Sequence, residues 1–466
     1  MLLIDFALSN VIRGKMILPE VQEKLKREGQ KPLTFDTLVT DLRGLIAGFP
    51  DCRTGNNTKY TMEDIALGAF SVFYTQNPSF LSHQKAMQKK KGQNNAQTLF
   101  GINQVPCDNH IRNQLDPVSA KYLSPLFESV LWRLNYWGHL NSFRSYSKNL
   151  LLALDGTQYF ASKKIHCKNC SVKEHKNGTK TYFHTAITPV FVAPGKKQVI
   201  SLAPEFITPQ DGHQKQDCEN AACKRWIKEN ASKYKHLGIT VLGDDLYCKH
   251  PICSLILEHE LDFILVCKPD SHQTLYQWLE GLETRGAIET VVEKRWTGKA
   301  YKTDTYRFVN QVPLRDGDDS LMVNWCELTT TSSTGEIIYK NSFATNFTIS
   351  KSNVKEIIAD GRARWKIENE NNNILKTKGY HVEHNFGHGQ ENLSSLLLTF
   401  NLLAFLFHTV FELNNELYKR IRDDLHSRKK FFDDIRALTT YLCFQSWEAL
   451  LIFMAEGLEL DIPDTS

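Results

Sequence analysis

The pattern of apolar and polar residues divides the chain into a helical start, a strand-rich middle and a helical end. Helical periodicity dominates residues 1–145, where the run Thr61-Met-Glu-Asp64 resembles a capping box that opens the apolar segment IALGAFSVFY. Further along, the run NAQTLFGINQVPCDNHIRNQLD predicts a short helix, a turn at Gly101 and a second helix. The first third of the chain is therefore predicted to be a set of packed helices.

From Leu150 the pattern changes to short apolar runs that turn residues separate. Three runs predict strands, LLLALDGTQYF, KTYFHTAITPVFVAP and KKQVISLAPEFI, and Pro194-Gly195 predicts a hairpin turn between the last two. Two further strand-like runs, GITVLGDDLY and DFILVCKP, each follow a helical segment, DCENAACKRWIKENASKYKHL and CSLILEHEL. The order β-β-β-α-β-α-β predicts a mixed sheet in which helical crossovers add parallel strands. In such a sheet the first and fourth strands are neighbours.

Residues 286–348 interrupt this order with four alternating segments, ETVVEKRW, TDTYRFVNQVPL, LMVNWCELTTT and IIYKNSFATNF. Turns such as Asp316-Gly-Asp-Asp separate them, so we interpret the region as a β-rich insertion. Helical periodicity returns at Asn353 and continues to about Lys378, and more helices follow. The predicted division is a helical region 1–145, an α/β core 146–285 and 353–412, the β-rich insertion 286–352 within it, and a C-terminal helical region 413–466.

Composition narrows the class of protein. The chain has 466 residues, which predicts two to four domains, and 41% hydrophobic with 23% charged residues is typical of soluble globular proteins. The net charge of +4 permits a nucleic-acid partner without requiring one. One segment, Leu393–Leu413, is apolar enough to suggest a membrane span, but it contains Asn401, His408 and Glu412. We therefore predict a buried helix and no membrane contact.

Cysteine usage indicates a reducing compartment. Eleven cysteines, an odd number, are spread along the chain, and the start MLLIDFALSNVIRGK lacks the features of a signal peptide. We therefore predict reduced thiols and a cytoplasmic location.

Three carboxylates occupy positions where chemistry is expected. Asp155 follows the first strand, Asp244 follows the fourth, and Glu368 lies on the helix after the insertion, one turn beyond Arg364. Strand ends of open sheets often carry functional groups, so these acids are predicted to meet at one sheet edge. Oxygen ligands suit Mg²⁺ or Mn²⁺, and two such ions can clamp both oxygens of a reacting phosphodiester.

Each of these residues also fits an ordinary structural role. Asp155 is followed by glycine and fits a turn, while Asp244-Asp245 fits a turn or a helix N-cap. Arg364 and Glu368, at i and i+4, fit an exposed helical ion pair worth only a few tenths of a kcal/mol. Their joint placement on strand end, strand end and helix favours the functional interpretation.

These motifs resemble those of the DDE transposases of bacterial insertion sequences, in the IS4-like group with an RNase H-like catalytic core. LLALDGTQYF resembles the first acid motif. VLGDDLY resembles the second, in which two residues separate the acid, Asp244, from the aromatic, Tyr247. GRARWKIENE resembles the third motif, which contains Arg364 and Glu368. Two departures occur: Gly361 replaces the usual tyrosine, and Leu375 occupies the lysine position, with Lys376 one residue late.

The resemblance implies a fold and an activity. The fold would be α/β, an RNase H-like mixed sheet with a β-rich insertion, between helical N-terminal and C-terminal regions. Asp155, Asp244 and Glu368 would be catalytic and would bind two Mg²⁺ or Mn²⁺ ions, while Arg364 and Lys376 would bind DNA phosphates. The reaction would be cleavage at transposon ends and strand transfer into target DNA, by a homodimer in a synaptic complex on chromosomal or plasmid DNA. The alternatives are an RNase H-like DNA nuclease without strand transfer and an inactive, domesticated DNA-binding protein.

Other residues suggest binding sites of their own. The helix-turn-helix outline, with His110 and Arg112 on its second helix, predicts either DNA contact in the major groove or a plain packing unit. The run Lys89–Lys91 is either a phosphate contact or a solvated surface. In the insertion, Trp296 and Trp325 are both candidates for stacking on a DNA base, and both are also candidates for the core.

Two sets of soft ligands suggest a transition-metal site. Cys167 and Cys170 could form a zinc site with Cys218 and Cys223, although we favour buried reduced thiols. The segment HVEHNFGHGQEN contains three further candidate ligands, His381, His384 and His388.

Overall fold

The apolar runs of the middle region assemble into one mixed sheet of nine strands, and helices pack against it. The computed structural model describes residues 29–54, 58–209 and 215–462, apart from the side chains of residues 215–218. The structure is 47% helical and 19% strand. The predicted mixed α/β class is confirmed at this level. The segment MLLIDFALSNVIRGK, from which we predicted that there is no signal peptide, lies outside the described residues.

The strands are numbered in chain order through the described residues. They are β1 Leu150–Ala153, β2 Gly156–Ser162, β3 Ser171–Glu174, β4 Lys180–Ile187, β5 Val190–Val192, β6 Ile200–Ser201, β7 Glu205–Phe206, β8 Ile239–Gly243, β9 Asp262–Val266, β10 Glu289–Trp296, β11 Tyr301–Pro313, β12 Met322–Thr331 and β13 Ile337–Thr345.

The main sheet has the strand order β10-β11-β12-β13-β9-β8-β1-β5-β6. β8 runs parallel to both β1 and β9, and the remaining neighbours are antiparallel. The prediction that the first and fourth strand segments are neighbours is therefore confirmed, because β1 and β8 pair directly. The short central strands are buried along their whole length, as expected of strands covered on both faces.

The β-rich insertion extends this sheet. Its four strands, β10 to β13, form an antiparallel meander, and β13 pairs with β9 through the register Phe343↔Val266 and Ala344↔Leu265. The hydrogen bond from Cys267 N to Ser342 O, at 3.0 Å, continues the pairing beyond the strand end. The insertion is thus hydrogen-bonded to the strand that follows the second acid motif.

Three segments that we predicted as single strands each form two strands in two different sheets. The breaks lie at Leu154-Asp155, Thr188-Pro189 and Leu202–Pro204. One piece of each segment, β1, β5 or β6, lies in the main sheet. The other pieces, β2, β4 and β7, form a small sheet with β3, in which the order is β2-β4-β3 and β7 pairs with β4. Because proline cannot donate a hydrogen bond to a strand ladder, Pro189 and Pro204 help to end the pairing at two of the breaks. The single-strand predictions were therefore wrong, and one of the breaks places Asp155 between two strands that belong to different sheets.

The helices are also numbered through the described residues. They are α1 Phe35–Ile46, α2 Met62–Tyr74, α3 Phe80–Met87, α4 Lys90–Phe100, α5 Asp108–Leu115, α6 Ser124–Tyr136, α7 Lys215–Tyr234, α8 His250–Glu258, α9 Gln273–Thr284, α10 Val354–Arg362, α11 Asn373–Thr377, α12 Leu393–Asn414, α13 Glu416–Asp424, α14 Arg428–Tyr441 and α15 Trp447–Gly457. A π-helical turn, Ile367–Asn372, leads directly into α11.

The apolar helix α12 joins the two helical regions. Within the described residues, it is the one helix that is long and apolar enough to cross a membrane. However, 89% of its most apolar 18-residue stretch is buried inside the protein. It packs against α2, and His408 in its last turns lies 2.9 Å from Tyr74 O and 3.0 Å from the Tyr418 hydroxyl. The prediction of a buried helix is confirmed.

The predicted helix-turn-helix outline is present as α4, a left-handed Gly101 with φ of 67°, and α5. The side chains proposed to read DNA make internal contacts. Arg112 Nε donates to Phe386 O at 2.9 Å, and the ring of His110 lies 5.3 Å from that of Tyr60. The pattern correctly predicted the two helices, whereas DNA contact by this unit stays a prediction.

Candidate active site

The first two acids lie at equivalent positions on neighbouring parallel strands. In the β1–β8 ladder Ala153 is paired with Leu242, and Leu154 N donates to Leu242 O at 3.0 Å. Asp155 and Asp244 each lie two residues beyond this aligned pair. The strand register therefore brings the two acids to the same edge of the sheet.

The electrostatics of Asp155 show how close the other charges are. Burial raises the pKa of Asp155 to about 7, with further increases from the negative charges of Asp244 and Glu368 and an opposing effect from Arg364. The pKa of Asp244 is also raised, mainly by burial, although the Leu246 amide and Arg364 oppose the shift. A site that disfavours the ionised form of two carboxylates is one that a cation would stabilise.

The third acid and the arginine come from the helical segment after α10. Arg364 NH1 lies 2.8 Å from Glu368 Oε1, so the ion pair expected from the i, i+4 spacing is formed. The Arg364 side chain is only 13% exposed, whereas the Glu368 side chain is 47% exposed. The pair is therefore anchored beside the two aspartates and open to solvent on the Glu368 side. The ion-pair and active-site interpretations of this motif are compatible.

The backbone that carries Glu368 is not a regular α-helix. The helix is interrupted after Arg362, and residues Ile367–Asn372 then form a wider π turn. Such turns are rare, and they are frequent at functional sites. Here the π turn spans both Glu368 and Asn372.

A network of amides and a hydroxyl holds Asp155. Asn372 Nδ2 donates to Asp155 Oδ2 at 2.9 Å, and Thr188 Oγ1 donates to Asn372 Oδ1 at 3.1 Å. Thr188 N also donates to Asp155 O at 3.1 Å, and Asn371 Nδ2 contacts Thr188 Oγ1 at 3.3 Å. The sequence analysis missed these residues. The position of Asn372, one turn beyond Glu368 on the same helical side, was the available signal.

A fourth carboxylate, Glu219 on α7, was also missed. It is 4% exposed, and it raises the pKa of both Asp155 and Tyr247. Its carboxyl carbon would lie 2.7 Å from a Cβ added to Gly156, so the glycine after Asp155 leaves room for this side chain. The Asp-Gly dipeptide thus permits the close approach of a fourth acid.

The structure distinguishes Asp244 from its neighbour. Burial alone would raise the pKa of Asp245, but hydrogen bonds from His272, Ser271 and the Lys268 amide lower it to about 2. Asp245 is therefore engaged by the segment after β9, while Asp244 faces Arg364 and the other acids.

The two departures from the family motif coincide with close packing. A Cβ on Gly361 would lie 2.9 Å from Ile264 and from the ring of Phe343, so α10 is packed too closely on the sheet for a tyrosine. Leu375 is 1% exposed, and Lys376 Nζ lies 3.0 Å from Glu383 Oε1. Phosphate binding by Lys376 stays a prediction, and it would require this ion pair to open.

The two tryptophans of the insertion differ in exposure. Trp325 is 1% exposed and lies in the core, where its indole N–H is 3.4 Å from the Tyr276 hydroxyl. Trp296, at the end of β10, is 57% exposed and packs on Tyr301 at a ring distance of 4.9 Å. Only the second of these two rings is available to a ligand. Lys89–Lys91 are exposed as well.

Of the two cysteines predicted to join Cys167 and Cys170, Cys223 does not lie with them. Cys223 is buried in α7 beside Tyr247 and Cys253, and the side chain of Cys218 lies outside the described residues. Cys167 and Cys170 instead approach His184 and His388. His388 is thus the one member of the predicted histidine set that joins this group in the described structure.

No protein-family model matches the chain, and no curated protein matches it significantly.

Proposed function

We propose that this protein is a DNA transposase of the DDE type, which cleaves the ends of a mobile element and joins them to target DNA. The observation that carries the proposal is the convergence of Asp155, Asp244 and Glu368, with Arg364 beside them, from three remote segments. The pairing of β1 with β8 supports it, because the resemblance requires the first and fourth strands of the core to be neighbours. On this proposal the core is RNase H-like.

The acids fit a pair of Mg²⁺ or Mn²⁺ ions. Their oxygens are the ligands that hard cations prefer. Burial first, and then the negative charges of Asp244 and Glu368, raise the pKa of Asp155, and bound cations would offset both effects. Asp155, Asp244 and Glu368 would hold the ions. When bound, the ions would stabilise charge on the attacking and leaving oxygens of the phosphodiester.

The surrounding residues prepare the site for DNA. Arg364 is held beside Glu368 and can bind a phosphate through its remaining N–H donors. Asn372, fixed by Thr188, orients the carboxylate of Asp155. Trp296 offers a ring for stacking on an unpaired base, and base stacking contributes about 1–3 kcal/mol. Lys376 would bind a second phosphate.

The proposed partners are the two DNA ends of the element and its target, bound by a homodimer in the cytoplasm. The decisive experiment incubates the purified full-length protein with the genomic DNA that flanks its reading frame, with and without Mg²⁺. Asp155→Asn, Asp244→Asn and Glu368→Gln should each reduce cleavage by at least about 100-fold while DNA binding persists. Glu370→Gln, on the same π turn, is the matched control and should cleave normally.

The products separate the alternatives. Cleavage followed by joining to target DNA supports the transposase, whereas cleavage without joining indicates a nuclease. DNA binding without any Mg²⁺-dependent cleavage would indicate a domesticated binding protein and would overturn the proposal. Retained cleavage in one acid variant would remove that residue from the site.

A further inference from the structure

We propose that Cys167, Cys170, His184 and His388 bind a structural Zn²⁺ ion at a site separate from the three acids. Cys167 and Cys170 lie in the loop between β2 and β3, His184 lies on β4, and His388 lies in the loop before α12. The site would therefore join the small sheet to the segment that follows Glu368 and α11.

The spacing of the four ligand atoms fits a tetrahedral zinc ion. Cys167 Sγ is 3.9 Å from Cys170 Sγ and 3.6 Å from His184 Nε2. Cys170 Sγ is 3.4 Å from His184 Nε2 and 3.3 Å from His388 Nε2, and the two Nε2 atoms are 3.1 Å apart. Zinc bonds of about 2.0–2.3 Å predict edges of roughly 3.3–3.8 Å in a tetrahedron. The five distances lie close to this range.

A disulfide or a network of hydrogen bonds fits the cluster less well than zinc does. A disulfide requires the two sulfur atoms to be about 2.05 Å apart, so Cys167 and Cys170 are not bonded to each other. A hydrogen bond from one imidazole N–H can join His184 and His388 at 3.1 Å, but the contacts of the two cysteines would depend on thiol donors, which are weak. Zinc satisfies all four groups at once, because two thiolates and two neutral imidazoles direct lone pairs toward it.

The groups around the cluster orient its ligands. His388 Nδ1 lies 2.8 Å from Gly389 O, to which it donates, so Nε2 keeps its lone pair for a metal. The Cys167 amide donates to Cys170 Sγ at 3.4 Å, a contact that stabilises a thiolate. Phe160 packs on the His388 ring at 4.4 Å, and the Tyr159 ring is stacked at 5.7 Å from that of His184. These rings shield the cluster from water.

A second group of soft ligands shows the opposite arrangement. Cys248, Cys267 and His272 also lie near one another. There, however, His272 Nε2 is 2.6 Å from Cys248 O, and Nδ1 is 3.3 Å from both Lys268 O and Asp245 Oδ1. Both nitrogens of this ring are directed at oxygen atoms, so neither offers a lone pair. The comparison identifies the first group as the one built for a metal.

The role of the ion follows from its position and from its ligand set. Four protein ligands leave no open coordination position, which is typical of structural zinc sites. β2 begins directly after Asp155, and β4 ends directly before Thr188, which bonds to Asp155 O. The ion would fix these strands relative to the loop that contains His388. Asn169 Nδ2 already links the two regions by donating to Glu391 O at 2.9 Å. It would thereby hold the active-site edge in place.

The test measures metal content in the purified full-length protein. Elemental analysis should find one zinc per chain, and Cys170→Ser and His388→Asn should each lower zinc affinity by more than about tenfold. The controls are Cys107→Ser, an exposed thiol, and His384→Asn, an exposed imidazole in the same loop. Both should retain the ion. Asp155→Asn should retain it too, because the acids form a different site.

X-ray absorption at the zinc edge of the unmutated protein keeps the proposal testable if the ligand variants fail to fold. Two sulfur and two nitrogen ligands are expected. A folded protein that takes up no zinc when Zn²⁺ is supplied would overturn the proposal. So would a shell of oxygen ligands, or unchanged zinc content in Cys170→Ser and His388→Asn.

Discussion

At the scale of single residues, Arg364 is the residue whose role the structure makes most specific. Its guanidinium is close to the charges of Glu368, Asp155 and Asp244, and it lowers the pKa of both aspartates. An ordinary surface ion pair would have no such influence on two buried acids. The same geometry leaves guanidinium donors for a DNA phosphate.

We therefore predict that Arg364→Ala lowers strand transfer by about 10- to 100-fold, the loss expected for a hydrogen bond to a charged group. The measurement is joining of a pre-cleaved DNA end to target DNA. Arg362→Ala is the matched control, since this exposed arginine packs over the Tyr339 ring on the neighbouring face. Equal strand transfer by Arg364→Ala and the unmutated protein would restore the plain ion-pair interpretation.

Asp360, one turn before Arg364, gives a prediction about pH. Burial raises its pKa to about 7, although a hydrogen bond from Ser145 opposes the shift. Its folded-state pKa exceeds the ordinary value of 3.8, so the folded protein binds the extra proton. The associated stability is present below pH about 4 and is lost as the pH rises through about 7.

The variant Asp360→Asn should remove this pH dependence. Relative to the unmutated protein, its free energy of unfolding should change little at pH 3 and increase at pH 8, by at most about 4 kcal/mol. Urea unfolding at the two pH values measures the difference. A variant that is destabilised equally at both pH values would contradict the assignment of a raised pKa to Asp360.

At the scale of elements, the contact between α10 and the sheet accounts for the missing tyrosine of the third motif. Ala usually stabilises a helix relative to Gly by about 1 kcal/mol. At Gly361, however, a Cβ would lie 2.9 Å from Ile264 and Phe343, and overpacking of this kind costs about 1–3 kcal/mol. The steric cost should exceed the gain in helix propensity.

Gly361→Ala is therefore expected to lower the free energy of unfolding by about 1–2 kcal/mol. The control is Gly281→Ala in α9, where a Cβ meets no atom within 4 Å and stability should rise by about 0.5–1 kcal/mol. Denaturant unfolding measures both changes in the free energy of unfolding, which should have opposite signs. Stabilisation by both substitutions would show that α10 can move away from the sheet.

The same elements show how far the sequence determines the fold. The apolar runs correctly predicted that β1 and β8 are neighbours, because both are continuous buried segments in a β-β-β-α-β order. They did not predict the breaks at Asp155 and Pro189, because both pieces of each segment bury apolar residues. The π turn at Ile367–Asn372 was not predicted either, because the pattern of apolar residues indicates a helix without showing where one turn contains an extra residue.

The two candidate sites differ in how much of each was predictable. Asp155, Asp244 and Glu368 could be predicted as candidates because each follows or occupies a strongly patterned element. The Cys167-Cys170 pair was recognised by its short spacing, but its histidine partners lie 14 and 218 residues from Cys170. No local pattern connects residues at such separations. Only the folding of β4 and of the loop before α12 brings them together.

At the scale of the whole molecule, the segment between α11 and α12 is tied to the N-terminal helices. Asp116, at the end of α5, accepts hydrogen bonds from the amides of Gln390, Glu391, Asn392 and Leu393. These amides include the first one of α12, so Asp116 acts as a capping acid supplied by a distant helix. The predicted DNA-binding region therefore supports the core directly.

Arg112, on the same α5 helix, completes this connection. Besides its bond to Phe386 O, it pairs with Asp108 at 3.4 Å and packs over the Phe80 ring. The helix-turn-helix interpretation assigns this side chain to DNA, while the structure assigns it an internal role. The two roles predict different effects of its removal.

If Arg112 is an internal support, Arg112→Ala should lower the free energy of unfolding by about 1–3 kcal/mol, because Phe386 O loses a charged donor. The salt dependence of DNA binding should then stay unchanged. If Arg112 binds a phosphate, the slope of log affinity against log salt should instead fall by about 1. Lys176→Ala, in the exposed turn between β3 and β4, is the control for the loss of a single surface charge. Unfolding and DNA titration of these two variants would decide whether α5 faces DNA or holds the core together, since the phosphate contact and the internal bond compete for the same guanidinium.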